Sequence, residues 1–252
     1  MDNQTIKQLL NTGILAGKIM MESGSEMYRI QDTIERILRK GGLSQPEVFL
    51  TPTGIFVTAR DIFYIKMAEV HHSAINLEKV TKVNALSRQF SGNQISLDEL
   101  QNGLRDINSN TSDFPLWLKL LGAFVISCTL MILFIGKYDW FDFFQAGFIG
   151  LFGYLVFNYL NNVVEIQFIS EFIASVLIAL AAIGLRQLNL INNLNYLIIG
   201  SVMPLVPGVA LTNALRDLIA GHLISGLARM VAGTLSALAI GGGIAVVLRF
   251  LL

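Results

Sequence analysis

The stretch MPLVPGVALTNALRD, Met203 to Asp217, sets two prolines and a glycine in an apolar run and follows them with Asn213, Arg216 and Asp217. A proline removes one backbone hydrogen bond and clashes with the carbonyl one turn earlier. Pro204 and Pro207, with Gly208 behind them, must therefore open any helix built here. In hydrocarbon, freed backbone groups are tolerated only where they are buried in protein or line a water-filled cavity. Half-helix ends at such a break aim partial charges at a solute, the arrangement that serves transport in many carriers. The plainer reading is a kink relieved by neighbouring helices.

Other residues could add to that chemistry. Glu171 lies within an apolar run on a face shared with Ser175 and Ala179. An ionisable group at membrane depth is by default a functional candidate, whereas one at headgroup level only marks the interface. Arg229 heads a series Gly233, Ala237, Gly241 and Ala245, a small-residue stripe that reads as a packing seam, and its guanidinium could pair with Asp217 or with an anionic substrate. Glu165, with Asn158, Asn161 and Asn162, reads as a turn cap.

Enzymatic constellations are missing from the pattern. ESGSEM, Glu22 to Met27, is not a nucleophile elbow, and Ser25 has no base in view. The adjacent His71 and His72 lack partners at metal-ligand spacing and read as a solvated turn, so no metal is expected. There is no phosphate-binding loop or dinucleotide fingerprint and no cofactor is expected. The single cysteine, Cys128, sits in an apolar run as a small buried hydrophobe. With a formal net charge of zero the chain has no basic footprint for nucleic acid.

The elements that must position these residues divide the chain in two. Of its 36 charged residues, 25 fall in residues 1–115. Residues 1–114 read as a small α+β domain of order ααβββαα. Ile6, Leu9, Leu10, Ile14, Leu15 and Ile19 mark one helix face, and Met27, Ile30, Ile34 and Leu38 mark a second that stops at Gly41 and Gly42. Strands are expected at about 47–51, 54–59 and 62–70, then a helix through Leu77, Val80, Val83 and Leu86, then one opened by a Ser96/Glu99 capping box.

Residues 115–252 read as a membrane domain of five helices, about 116–135, 143–160, 166–185, 196–211 and 223–248. Trp117, Tyr138, Trp140 and Tyr196 fall at the ends of runs, as an aromatic belt requires. No cleaved signal peptide is expected, and the distribution of Arg105, Lys119, Lys137, Arg186, Arg216 and Arg229 favours a cytoplasmic N-terminal domain.

GSEMYRIQDTIERILRKGG, TPTGIFVTA, INLEKVTKVNALSRQ and PLVPGVALTNALRDLIAGHLISGLAR together resemble the N-terminal half of the bacterial threonine/serine exporter family over essentially the whole chain. The resemblance implies an inner-membrane exporter of threonine and serine, with dicarboxylates linked to split relatives. It also implies a separately encoded small membrane partner subunit; self-association is left open. The family-like positions are Gly24, Glu26 and Arg29 in the N-terminal domain. In the membrane domain they are Pro204, Pro207, Gly208, Asn213, Arg216, Asp217, Gly221, Gly226 and Arg229.

The reading that follows is one subunit of a gradient-driven exporter. The broken fourth helix and the fifth line the path, Arg216 or Arg229 meets a substrate carboxylate, and Glu171 or Asp217 carries a proton. Two other readings stand beside it: a membrane-anchored sensor or hydrolase acting through residues 1–114, and a scaffold for a pore made by a partner.

Overall fold

The computed structural model describes residues 2–60, 62, 65–70, 75–111, 114–136, 138–163 and 168–251. His71, His72, Lys137 and Glu165 lie outside the described residues.

Helix α1 (Asn3–Glu22) starts at Asp2, whose carboxylate accepts from Thr5 N at 2.9 Å and satisfies one of the N–H groups a helix start leaves open. Ile6, Leu9, Leu10, Ile14 and Ile19 are buried, as the spacing predicts, and Leu15 is half-buried. Helix α2 (Met27–Lys40) buries Met27, Ile30, Ile34, Ile37 and Leu38. It stops at Gly42, whose φ of +96° lets Leu43 N donate to Leu38 O at 3.1 Å and Gly42 N to Arg39 O at 3.1 Å, while Gly41 before it leaves room for Leu9, whose Cγ would lie 2.9 Å from an added Cβ.

Strands β1 (Pro46–Thr51), β2 (Gly54–Ala59) and β3 (Lys66–Glu69) form an antiparallel meander in the order β1-β2-β3. Leu50, Ile55 and Val57 face the core. The expected third strand is shortened at its start, because Ile62 donates its N–H to Ala59 O in a turn rather than to a ladder. Helix α3 (Leu77–Ser91) is capped by the Asn76 side chain, and α4 (Leu97–Asn110) opens with the Ser96/Glu99 capping box. Leu100, Leu104 and Ile107 of α4 and Val80, Val83 and Phe90 of α3 complete one apolar core with α1, α2 and the sheet. Each fully buried Leu or Ile stabilises such a core by about 1.5–3 kcal/mol.

The apolar part of the chain holds α5 (Leu116–Ile135), α6 (Trp140–Val163), α7 (Ile169–Gln187) and α8 (Leu194–Val202), then a 3-10 turn (Met203–Leu205), α9 (Gly208–Ile219) and α10 (Leu223–Leu251). Among the described residues α5, α6, α7 and α10 are long and apolar enough to cross a bilayer, and the pair Leu194–Leu205 plus Gly208–Ile219 passes the same test as a broken span. Four spans are thus present, or five if the pair is one. The break that Pro204, Pro207 and Gly208 lead one to expect within 196–211 is present: the helix ends at Val202 and a new one begins at Gly208, because the residue before a proline is driven to extended backbone, Val206 having φ −65° and ψ 126°; the second piece runs on to Ile219, past the expected end at 211.

Two compact groupings emerge. One comprises Met1–Asp113 with Val209–Met230, the other Phe114–Gly208 with Val231–Leu252. Val209–Met230, assigned to the membrane domain from sequence, therefore groups with the α+β residues.

Within the second grouping the helices meet at glycines. A Cβ on Gly200 would sit 2.6 Å from Met131 Cβ and 2.9 Å from Ser127 O, so α8 and α5 touch nearly backbone to backbone. The seam on α10 differs from the expected stripe. Gly233, Ser236, Ile240, Gly243 and Val247 are buried, while Ala237, Gly241 and Ala245 are exposed. The reason is geometric: an α-helix turns about 100° per residue, so a strict four-residue repeat drifts about 40° per step and walks off a face that alternating three- and four-residue steps keep.

Gly243→Ala is expected to lower the thermal midpoint of the solubilised protein. Its new methyl would lie 2.7 Å from Phe172 O, a clash costing about 1–3 kcal/mol. Gly241→Ala, with nothing within 4 Å, should leave that midpoint unchanged or slightly raised. Equal effects of the two changes in a thermal melt would contradict the assigned seam.

Candidate functional site

The turn between α1 and α2 is built first by its own backbone. Ser25 N donates to Met20 O at 3.0 Å and Gly24 N to Met21 O at 3.1 Å, the paired bonds of a left-handed helix stop. That stop needs positive φ at Gly24, which has φ +80°. The carbonyls of Gly24 and Ser25 then remain free of the helix ladder. Glu26, at the N-cap of α2, makes no side-chain cap bond, so the first N–H groups of α2 need an acceptor from elsewhere.

Helices α9 and α10 supply it. Asp217 is wholly buried, and its Oδ1 accepts from Met27 N at 2.8 Å. A carboxylate at a helix start satisfies an open donor and complements the positive end of the helix dipole. Asn213 Nδ2 donates to Gly24 O at 3.0 Å. Arg229 Nη1 donates to Ser25 O at 3.2 Å and stands 3.2 Å from Asp217 Oδ2. The latter is an ion contact without an aligned hydrogen bond. Arg216 Nη1 meets Glu26 Oε1 at 2.8 Å, and Arg29 Nε lies 3.2 Å from Glu26 Oε2. Glu26 is thus clamped between two guanidinium groups. Burial opposes its charge, but the backbone hydrogen bond at Glu26 and the charges of Arg29 and Arg216 outweigh it and hold its carboxyl below the ordinary value of 4.5.

The α9–α10 corner that presents these side chains is tight. Gly221, at φ +89°, repeats the left-handed stop: His222 N donates to Asp217 O at 2.9 Å and Gly221 N to Leu218 O at 3.1 Å. A Cβ on Gly226 would lie 2.9 Å from Leu218 N, so α10 returns directly against α9. Ser225 Oγ donates to Leu50 O at 3.2 Å and fixes this corner to β1.

Gly24, Glu26, Arg29, Asn213, Arg216, Asp217 and Arg229, singled out separately in sequence, are therefore brought together. Pro204 sits in the 3-10 turn, Pro207 immediately before α9, and Gly208 is the first residue of α9. On α9, Asn213 and Asp217 are buried. The Ser25 hydroxyl is buried and has no hydrogen-bond partner among the described residues.

Glu171 belongs to a different place. It is the third residue of α7, half-buried, and accepts from Ser236 Oγ of α10 at 3.3 Å. Ser175, on the same face, donates to Phe172 O instead.

Sequence reasoning passed over Asp142. This residue is wholly buried near the start of α6, and its two oxygens accept from Asn192 N at 2.7 Å and Asn193 N at 2.8 Å. Asp139 caps the same helix start through Phe141 N and Asp142 N. The available signal was Asp-x-x-Asp at the head of an apolar run with paired asparagines ahead of the next. Among the described residues no group of His, Cys, Asp and Glu could hold a metal ion.

A family model for the threonine/serine exporter, ThrE, matches residues 11–251. Comparisons with curated proteins and with solved structures find no match.

The two carboxylates of the cluster should differ sharply on substitution. Asp217→Ala strands Met27 N–H and Arg229 in a dry site and should cost about 3–5 kcal/mol in unfolding experiments. The Glu26–Arg216 pair, with the arginine side chain 61% exposed, should show a coupling below about 1 kcal/mol in a double-mutant cycle. Because the Glu26 pKa is lowered on folding, its contribution is complete above the ordinary carboxylate value and disappears as pH falls through the lowered one. The cycle measured in a pH series should show the full coupling at neutral pH and a declining one as pH is taken below the ordinary carboxylate value.

Proposed function

Since the chain belongs to the threonine/serine exporter family, whose members are membrane transporters and not enzymes, we propose that it exports threonine and serine as one subunit of a secondary exporter in the bacterial inner membrane. In this reading the α+β residues are cytoplasmic, a small membrane partner subunit completes the path, and an ion gradient drives the cycle. Dicarboxylates are the second substrate class to be tried. A hydrolase acting through residues 1–114 does not accord with the family, whose members are transporters.

The observation that carries the proposal is the convergence of Asn213, Arg216, Asp217 and Arg229 on Gly24–Met27. Both arginines are held by protein acceptors, so a substrate carboxylate reaches one of them only by displacing Glu26 or Asp217. Arg229 is the better candidate, because a charge exchanged in a dry site is worth far more than one at the surface. A proton taken by Asp217 would release Arg229 for the substrate, coupling proton and solute at one position. Glu171 is the second proton candidate. Pro204, Pro207 and Gly208 contribute the break that lets α9 move as a separate piece.

Efflux of labelled threonine, serine and succinate from proteoliposomes, with and without the candidate partner, tests the reading. Threonine and serine should leave only when both chains and a proton gradient are present. Asp217→Asn and Arg229→Ala should lower the rate at least about tenfold, equivalent to about 1.4 kcal/mol in the barrier. Arg216→Ala and Glu171→Gln should lower it less. Unchanged efflux in all four variants would remove the site assignment, and no efflux in any combination would remove the exporter assignment.

A further inference from the structure

One buried polar group in the Gly24–Met27 turn has no partner. Ser25 is 2% exposed, and its hydroxyl makes no hydrogen bond among the described residues. A hydroxyl has a proton to donate and lone pairs to accept with, and burial strands both unless a partner comes. Ser87 and Ser127 share the condition, but they lie inside α3 and α5, where a change of rotamer brings the hydroxyl to the carbonyl one turn back. Ser25 stands between α1 and α2, where the carbonyls around it are already engaged. Met20 O and Met21 O accept from Ser25 N and Gly24 N, Ser23 O from Asn76 N, and Gly24 O from Asn213 Nδ2.

The neighbours of this hydroxyl define the partner that fits it. Ser25 O accepts from Arg229 Nη1 at 3.2 Å, and the same nitrogen stands 3.2 Å from Asp217 Oδ2, a second buried atom without an aligned hydrogen bond. A guanidinium has further N–H groups with which to meet a carboxylate while it keeps Ser25 O. A solute carboxylate that takes the place of Asp217 on Arg229 is thereby brought beside Ser25. In threonine and serine the hydroxyl sits on the carbon next to the one that bears the carboxylate, so it falls within reach of a residue touching the same guanidinium. The backbone of Ser25 is pinned on both sides, by its N–H to Met20 O at 3.0 Å and by Arg229 on its carbonyl, which holds the side chain in place before a solute arrives. A solute hydroxyl satisfies Ser25 Oγ, whereas an aliphatic side chain of the same size leaves it stranded. Sites of this kind discriminate against an analogue lacking the hydroxyl more strongly than a pocket can against a missing methylene.

We propose that Ser25 Oγ reads the side-chain hydroxyl of threonine and serine and so separates them from amino acids of the same size without one; the assignment rests on the reading that Arg229 takes the substrate carboxylate.

The test measures efflux of labelled threonine and 2-aminobutyrate, which is threonine without its hydroxyl, from proteoliposomes holding the full chain, its partner and a proton gradient. The unmodified protein should favour threonine, and Ser25→Ala should reduce the ratio of the two kcat/KM values at least about tenfold, chiefly by loss of threonine efflux. Ser25→Cys, close in size but a weak hydrogen-bonding group, should move the ratio in the same direction. Arg229→Ala should lower both solutes alike, because the carboxylate is common to them. The thermal midpoint of Ser25→Ala should equal or exceed that of the unmodified protein, since the hydroxyl it removes has no partner in the fold. An unchanged ratio in Ser25→Ala and Ser25→Cys, or an equal fall for both solutes with a lowered midpoint, would overturn the assignment and leave the exporter reading standing. No effect of Arg229→Ala on either solute would remove the carboxylate reading and the Ser25 assignment with it.

Discussion

A carboxylate with no access to water must find its partners within the protein, and Asp217 sets the terms for much of this structure. It has two ways to be satisfied: an aligned donor and an opposite charge. Met27 N provides the first and Arg229 the second. Each requirement propagates. Met27 N is available only because Glu26 leaves the start of α2 uncapped, and the Gly24 stop turns the chain so that this start faces α9. Arg229 is near only because Gly221 and Gly226 let α10 return closely along α9. A change at any of these glycines acts on Asp217 without touching it.

The apolar helices solve a similar problem differently. Lipid offers no hydrophobic drive for helix association, so contact depends on backbones approaching closely and on polar groups that satisfy one another. Gly200 and Gly243 provide the approach. Asp142, paired with two backbone N–H groups, orders the segment that leads into α8. Asp142 and Asp217 share a design, a buried carboxylate holding the start of a segment far away in sequence. They differ in that Asp217 also faces a guanidinium, which makes its charge exchangeable.

Features with local causes were legible in the sequence. The Ser96/Glu99 box, the stop at Gly41 and Gly42, the alternation that makes β1 and β2 and the break at Pro204 and Pro207 all follow from residues within a few positions of one another. Features that depend on pairing across the chain were not. The Glu26 and Arg216 positions could be named from family likeness, but nothing in their neighbourhoods states that they touch across 190 residues. The stripe on α10 was misplaced because a four-residue repeat looks regular in sequence and drifts in space. Asp142 went unremarked because an acidic residue at a helix start ordinarily needs no further partner, and its acceptance of Asn192 N and Asn193 N is visible only in three dimensions.

The distance along the chain between Met27 and Asp217 has a consequence for biosynthesis. An N–H group whose acceptor lies 190 residues downstream remains unsatisfied until that acceptor has been made. At about 5–20 residues per second the interval is on the order of 10–40 s. During it α1, the sheet, α3 and α4 can collapse on their local contacts, but the turn at Gly24–Met27 waits without its anchor. The contact is a closure of very high contact order, made by a hairpin that emerges after most of the apolar helices. A nascent chain that ends before Asp217 leaves the Met27 N–H without this acceptor, so the start of α2 is completed only by residues made late.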